Sequence, residues 1–350
     1  MSISKSSKRN VILAGACLAG GIAIAFPQAS QGALLTNVVF NDTLATSTLG
    51  TGNAPTSSST SYDVASSKQA TASSITGGGP LSLIMVSTTS GINEAQALFT
   101  SSPVTLTNVG DAVELTMTFT DTSDVLTSTL SKSSAVYIGL YSSGGSSPYT
   151  NLENGSSSVN TMSGLANSEI NDNTGGTQNW QGYVGQDFGT GNSNKILTRG
   201  AQTVTTNNAD EDLVSSGNTG GYNNAPGTGA TYTQQNAGTF LTQGNQYTDE
   251  LLIQLTSAGT YTITQALYNG ATDTGLIVGT ETTIGTLPSL SSGGFDGMAF
   301  GYRESVATAL GSNSQMNVTS VEVTTTVPEP ATLGLLSLAG LGLLRRRRRA

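Results

Sequence analysis

The sequence predicts an all-β protein, built as an antiparallel two-sheet sandwich of jelly-roll type. Three observations lead to this fold class. Apolar and polar residues alternate with period two in several segments, Gly, Ser, Thr and Asn replace helix-forming residues, and residues 34–327 contain no convincing amphipathic helix. Charged residues make up only 10% of the chain, against about 25% in ordinary domains. A parallel β-helix is the alternative fold.

The clearest strands show the alternation directly. In AVELTMTFTDT (112–122) every second residue is apolar, which indicates one face on a core and one in water. SAVYIGLYSSGG (134–145) places tyrosines on one face and aliphatic residues on the other. DELLIQLTSAGTYTITQALYNG (249–270) reads as a hairpin that turns at TSAG, and FDGMAFGYRES (295–305) and QMNVTSVEVTTTV (315–327) supply the last strands.

Three other stretches give weaker signals. The Ser/Thr-rich segment 44–69 is interpreted as an edge strand and loop, and the Gly/Asn-rich segment 142–240 as long loops with short strands. The short sequence INEAQALF (92–99) is the best candidate for a helix within the body.

Charge is distributed unevenly along the chain. The net charge is −9, but residues 34–327 hold five basic and 21 acidic residues, a net charge of −16. Most of the basic residues lie at the two ends of the chain. An acidic body repels phosphate backbones, so nucleic-acid binding is excluded as a function.

Histidine is absent from the chain, and the single cysteine is Cys17. Hydrolase triads that need imidazole, histidine-ligated zinc or haem, and disulfides within the body are therefore excluded. No cofactor is predicted.

The N-terminus has the layout of a secretory signal peptide, which we assign to residues 1–33. Basic residues precede an apolar stretch from Val11 to Phe26, and small residues follow up to Ala33. An uncleaved membrane anchor is the alternative, although the apolar stretch is shorter than the ~20 residues needed to span a bilayer. A lipoprotein acylated at Cys17 is a further alternative. The signal implies export machinery and signal peptidase as partners.

The C-terminus carries a second hydrophobic segment. Residues 331–344 would form a helix of about 21 Å, short for a hydrocarbon core of about 30 Å. The five arginines behind it supply a stop-transfer charge that stays cytoplasmic: Arg345, Arg346, Arg347, Arg348 and Arg349. Pro328 and Pro330 keep the preceding chain extended. Taken alone, this pattern indicates a plain membrane anchor.

The order of these parts resembles the PEP-CTERM sorting domain of exported bacterial proteins, over residues 327–350. Pro328, Glu329 and Pro330 match the motif residue by residue, and the apolar helix and arginine cluster follow. The resemblance implies recognition, and cleavage of the tail, by an exosortase, a membrane protease-transpeptidase. It also implies transient anchoring in the inner membrane, then delivery to the cell surface or the extracellular polysaccharide matrix.

The body, 34–326, also resembles the concanavalin-A-like sandwiches in its closing strands, without a signature motif. Sandwich glucanases in that group place catalytic carboxylates at alternate positions of one strand. Here Asp210, Glu211 and Asp212 are consecutive, as are Asp249 and Glu250, so both groups are interpreted as solvated acidic loops. Calcium held by carboxylates and backbone carbonyls stays an alternative that no motif supports.

Sugar binding needs an aromatic platform with amide partners. The loop-rich middle of the chain offers Trp180, Tyr183, Tyr222, Asn223 and Asn224. A lone tryptophan is more often part of a core, so these residues form a speculative site.

The leading hypothesis is a non-enzymatic, exported surface or matrix protein with a structural or adhesive role. A carbohydrate-binding module that acts on extracellular polysaccharide is the alternative. A glycoside hydrolase without histidine, which would need two carboxylates in a groove, is the remote alternative.

Overall fold

A computed structural model describes most of the body of the chain. It covers residues 34–49, 54–66, 74–75, 79–85, 91–123, 135–146, 177, 180–188, 195–200, 213–214, 222–224, 231–234, 241–272, 274–284, 293–304 and 314–328. Within these residues the chain forms strands and turns, without a helix. The strands belong to one compact unit, Ala33–Glu329.

In chain order the strands are β1 (Leu34–Asp42), β2 (Thr48–Leu49), β3 (Ser61–Ser66), β4 (Ser74–Ile75), β5 (Leu81–Met85), β6 (Gly91–Leu98), β7 (Ala112–Ser123), β8 (Ala135–Ser142), β9 (Gln181–Phe188), β10 (Lys195–Arg199), β11 (Tyr222–Asn224), β12 (Thr231–Gln234), β13 (Gln246–Ser257), β14 (Thr260–Asn269), β15 (Leu276–Ile284), β16 (Gly297–Glu304) and β17 (Ser314–Pro328). They form two sheets. The first has the order β12-β15-β14-β13-β7-β17-β5-β4, with β1 also paired to β17. The second has the order β11-β10-β9-β8-β16-β6-β3-β2.

The pairing is antiparallel throughout, except that the edge strand β2 runs parallel to β3. The predicted two-sheet antiparallel sandwich is therefore confirmed, and the alternative of a parallel β-helix is wrong. Neighbouring strands in a β-helix are parallel, whereas here hairpins and long connections bring antiparallel partners together. The predicted edge strand in segment 44–69 corresponds to β2.

The main core lies between the two sheets and is built by period-two alternation. On β7 the predicted apolar face is buried: Val113, Leu115, Met117 and Phe119. The predicted hairpin is formed by β13 and β14, in which Leu251, Ile253 and Ile263 are buried in the same core. The second sheet contributes aliphatic and aromatic side chains from its inner face, so both sheets bury one face against the other.

Strand β8 is buried on both faces, with every residue inaccessible to solvent. Its aliphatic residues Val136, Ile138 and Leu140 enter the main core. Tyr137 and Tyr141 point to the opposite face, where they join a second apolar cluster on the outside of the second sheet. The predicted separation of tyrosines from aliphatic residues is thus confirmed.

The helix predicted at 92–99 is wrong, because this segment forms strand β6. Its Ala, Glu and Gln residues favour a helix locally, but pairing with β3 and β16 on both sides decides the conformation. Alternate residues then face the two cores: Ala95 and Ala97 enter the main core, while Glu94 lies on the opposite face.

The first and last strands of the body are neighbours. β1 pairs with β17 from Leu34 opposite Pro328 to Asp42 opposite Val321. β17 pairs with β7 along its other edge, and with β5 at its beginning. The predicted signal helix (1–33) and tail helix (331–344) lie outside the described residues. Within the described residues, no helix is long and apolar enough to cross a membrane.

Candidate functional site

The end of β17 is where the body meets the predicted sorting segment. Pro328 is the last residue of the strand and lies opposite Leu34, the first residue of β1. A groove of about 390 Å³ lies beside this end, lined by residues 325–327, Val39 and the loop 102–106. Val327 is 40% exposed at its rim. The chain therefore leaves the body in an extended conformation, directly from a paired strand.

The structure places the sorting residues only in part. Pro328 belongs to β17, whereas Glu329, Pro330 and the arginines 345–349 lie outside the described residues. Their predicted roles stay predictions.

Trp180 is fully buried in the second apolar cluster, outside the second sheet. Its ring packs at 6.1 Å from the ring of Tyr141, and its Nε1–H donates to the Ser146 hydroxyl at 3.0 Å. A Cβ on Gly297 would lie 2.5 Å from the indole, so the glycine provides the space for the ring. Trp180 thus acts as a core residue, with both faces of its ring covered.

A segment of the chain covers this face of the second sheet. The backbone N–H groups of Leu213 and Val214 both donate to the buried Glu94 carboxylate at 2.9 Å. The Tyr141 hydroxyl donates to the Leu213 carbonyl. Arg199, also buried, donates to the carbonyls of Thr177 and Trp180 at 2.8 and 2.5 Å. The outside of the second sheet is therefore a closed second core in this region.

The other predicted sugar-binding residues lie on neighbouring strands. Tyr183 on β9 pairs with Thr198 on β10, and Thr198 pairs with Asn223 on β11. Tyr222 and Asn224 flank Asn223 on the same edge strand. Tyr183, Thr198 and Asn223 therefore lie opposite one another on three neighbouring strands. Tyr183 is nevertheless buried in the main core, away from the cluster that holds Trp180.

Trp180 and Tyr183 therefore do not form an aromatic platform together. Trp180 and Tyr183 point to opposite faces of the second sheet, and both rings are buried. A sugar ring stacks on an exposed aromatic face, which neither residue offers.

Sequence reasoning missed a polar cluster inside the main core. Asp249 on β13, Asp187 on β9 and Gln265 on β14 are all buried there. The prediction that Asp249 and Glu250 form a solvated loop is wrong, because both lie in β13 and Asp249 faces the core. The side chains of Asp187 and Asp249 lie close enough for each to affect the protonation of the other. The sequence carries no local signal for this pair, which comes from strands of different sheets.

Burial dominates the protonation of these carboxyls. Loss of solvation raises the pKa of Asp249 to about 8, although the hydrogen bond from Gln265 opposes the rise. Burial also raises the pKa of Asp187 well above its ordinary value, and the charge of Asp249 adds to the rise. A buried pair of this kind holds at least one proton at neutral pH.

No metal centre is apparent in the described part of the chain. There, no group of three carboxylate or thiol side chains is placed to hold one ion. Asp210 and Asp212, the residues closest to a calcium-loop spacing, lie outside the described residues.

The outer face of the first sheet is a partly exposed polar surface. Cross-strand pairing aligns Glu322, Thr116 and Glu250 in one row across β17, β7 and β13. The next row contains Thr324, Glu114, Leu252 and Thr264, all partly exposed. This surface, which we call the threonine face, presents hydroxyl and carboxylate groups in regular register.

A family model for the PEP-CTERM protein-sorting motif matches residues 326–349. The match begins within the last three residues of β17 and covers the tail. The chain thus carries a sorting motif of exported proteins at its C-terminus. A comparison with curated protein sequences finds no match.

The body is similar to solved sandwich structures. Lectin II from Ulex europaeus has 12% identity and a TM-score of 0.34, covering 83% of this chain and 98% of the lectin. Basic winged bean lectin with Tn-antigen has 9% identity and a TM-score of 0.35, covering 85% and 100%. The PL-14 alginate lyase from Aplysia kurodai has 10% identity and a TM-score of 0.34, covering 70% and 82%. The sequence identities and TM-scores are too low to indicate a ligand or an activity for this chain.

Proposed function

We propose that the chain is an exported structural or adhesive protein of the bacterial cell surface or its extracellular polysaccharide matrix. The observation that carries this proposal is the sorting motif at 326–349, which continues directly from the last strand of a compact all-β body. The body would carry the function at the cell surface, and the tail would serve as the sorting signal.

In this proposal an exosortase-type membrane protease recognises Pro328, Glu329 and Pro330. The apolar segment 331–344 holds the chain in the inner membrane, and the arginines 345–349 stay in the cytoplasm. Cleavage of the tail then frees the body for delivery to the surface.

The sorting step is tested by replacing Pro328, Glu329 and Pro330 together with alanine in the native host. We expect the variant to stay in the membrane fraction with its arginine tail, while wild-type protein reaches the surface with a C-terminus between Val327 and Pro330. Intact-mass spectrometry of both fractions measures this. The conservative variant Glu322→Gln, in the body, serves as the control and should be processed like wild type.

Recovery of wild-type surface protein with an intact arginine tail would contradict cleavage and leave a plain membrane anchor. Equal processing of the alanine variant would show that the protease does not read these three residues.

The role we propose is non-enzymatic. The chain has no histidine, and the carboxyl pair Asp187–Asp249 is buried in the core, where a polysaccharide cannot reach it. Glycoside hydrolysis needs two carboxylates on either side of a bound sugar. Incubation of the full-length protein with matrix polysaccharide should therefore release no reducing ends, and release that is lost in Glu114→Gln or Glu250→Gln would contradict this role.

A contact with polysaccharide is favoured by one observation, the threonine face. Its hydroxyls and carboxylates can exchange hydrogen bonds with sugar hydroxyls along several neighbouring strands, without an aromatic platform. We propose this face, rather than Trp180, as the surface turned toward the matrix.

The paired variant Thr116→Val and Thr264→Val tests this contact, because valine keeps the shape of threonine and removes the hydroxyl. We expect weaker retention of the variant in affinity electrophoresis through polysaccharide from the host matrix. The paired variant Thr272→Val and Thr274→Val, at two exposed positions in the connection between β14 and β15, is the matched control. Equal retention of all three proteins would contradict a role for the threonine face.

A further inference from the structure

The buried carboxyl pair joins the two sheets at one point of the main core. Asp249 lies in the first sheet, in register with Met117 on β7 and Leu267 on β14. Asp187 lies in the second sheet, in register with Val136 on β8. Asp249 is therefore flanked by apolar residues on both neighbouring strands, Asp187 is flanked by Val136 on β8, and each carboxyl faces the main core from its own sheet.

Gln265 is a polar companion of the pair. Its amide Nε2 donates to Asp249 Oδ1 at 3.3 Å. Asp249 Oδ2 and Gln265 Oε1 are buried without a hydrogen-bond partner among the described residues. A Cβ on Gly185 would lie 2.2 Å from Gln265 Oε1, so this glycine makes room for the amide between the sheets.

No cation neutralises the pair from the strands around it, since β7, β8, β9, β13, β14 and β15 contain neither lysine nor arginine. The nearest bases in sequence, Lys195 and Arg199, lie on β10, where they share a strand face with Leu197 of the outer cluster. The other titratable groups on the same strands are all tyrosines or carboxylic acids: Glu114, Asp121, Tyr137, Tyr141, Tyr183, Tyr247, Glu250, Tyr261, Tyr268 and Glu281.

Two ionised carboxylates in such surroundings repel each other and lose their solvation. A proton held between them removes one charge and supplies the hydrogen bond that links the sheets. We propose that Asp187 and Asp249 form a proton-dependent clasp, which holds the two sheets together in acid and weakens when its proton passes to solvent.

The direction of the pH effect follows from the proton count. In the unfolded chain both carboxyls ionise near pH 4, whereas in the folded protein burial raises the pKa of Asp249 to about 8. Between these values the folded state binds more protons than the unfolded state. The stability that the clasp contributes is therefore fully present below about pH 4 and is lost as the pH rises toward 8.

The test compares full-length wild type with Asp249→Asn in mild detergent, by urea unfolding from pH 4 to 9. For wild type we expect the unfolding constant to rise by up to about tenfold per pH unit for each proton released. Asparagine keeps the size of the side chain without titrating, so Asp249→Asn should flatten this dependence. Asp63→Asn is the matched control for the loss of one buried aspartate outside the pair, on β3. Burial raises the pKa of Asp63 to about 7, so this variant should keep the dependence above pH 7 that Asp249→Asn loses.

A flat wild-type profile, or an Asp249→Asn profile as steep as that of wild type, would overturn the clasp. If Asp249→Asn does not fold, proton uptake on refolding of Asp63→Asn at pH 6 replaces the comparison, because this variant keeps the pair and removes the other strongly shifted aspartate. Uptake of less than about one proton per chain would overturn the clasp. Stabilisation of wild type by added Ca²⁺ at pH 8, absent in Asp249→Asn, would also overturn it in favour of a bound cation.

Discussion

Glu94 shows how a single side chain fixes a long connection. Its carboxylate is buried and accepts the N–H groups of Leu213 and Val214, residues 119 and 120 positions away in the chain. Both residues are buried, and they belong to the second apolar cluster. A charged acceptor is well suited to two converging N–H groups, because bonds to an ionised group are the stronger ones.

We expect Glu94→Gln to lower the free energy of unfolding by about 1–3 kcal/mol, since the amide turns an N–H toward an N–H donor. Urea unfolding at pH 7 measures the loss. Glu114→Gln, on the partly exposed threonine face, removes the same charge and should change stability far less. Equal losses in the two variants would show that charge alone, and not the hydrogen bonds, stabilises the segment.

Gly297 determines where Trp180 packs, because a Cβ at this position would lie 2.5 Å from the ring. We expect Gly297→Ala to displace the indole and to destabilise the body by about 1–3 kcal/mol. Trp180 is the only tryptophan, so its fluorescence reports the displacement as a shift of the emission to longer wavelength. Gly200→Ala, with open space around the added methyl group, is the control. An unchanged emission in Gly297→Ala would contradict the close packing.

At the scale of elements, strands with strict apolar–polar alternation can be predicted from the sequence. Which of their polar residues are buried cannot always be predicted. The apolar face of β7 and the two faces of β8 follow from periodicity alone. Asp249 does not, because a carboxylate within a strand normally points to water and its partner Asp187 is 62 residues away. β6 was mistaken for a helix because Ala, Gln and Glu favour a helix until two neighbouring strands pair with them. The covered position of Trp180 depends on Leu213–Val214, a contact that no local pattern encodes.

The pairing of β17 predicts how far the chain can be shortened from its C-terminus without loss of stability. A chain that ends after Pro328 keeps every pair of β17 with β1, β5 and β7. A chain that ends after Ser320 loses the buried Val321 and Val323, each worth about 1.5–3 kcal/mol, and the whole partner strand of β1. We therefore expect the first truncation to unfold at the same temperature as the full chain, and the second to be unfolded or highly sensitive to proteolysis. Equal stability of both truncations would contradict the pairing of β1 with β17.

At the scale of the whole molecule, the acidic body and its buried carboxyls respond to pH in the same direction. Burial raises the pKa of Asp63 to about 7, and it also raises the pKa of Asp296. These groups stabilise the folded state at low pH, and that contribution is lost as the pH rises through their folded pKa values. The net charge of −16 between residues 34 and 327 adds self-repulsion at neutral and higher pH.

We therefore expect thermal unfolding of the full chain to shift to lower temperature between pH 5 and pH 8, and added NaCl to recover part of the loss at pH 8. Salt screens the repulsion between surface charges, but it does not change the loss of solvation that raises the pKa values of Asp63 and Asp249. The recovery of the unfolding temperature should therefore be incomplete. Calorimetry at several salt concentrations measures both parts. A stability that rises with pH would contradict the directions assigned to these carboxyls.

The pairing of β17 also has a mechanical consequence. In the anchoring that we propose, a pull on the tail enters the body at Pro328 and runs along the strand. β17 is bonded on one edge to β7 and on the other to β1 and then β5. Because ladder hydrogen bonds lie across the strand direction, such a load stretches many of them at once instead of opening them one by one. If the body is held by its tail as we propose, β17 would therefore be loaded in shear, the direction in which a β-strand resists force best.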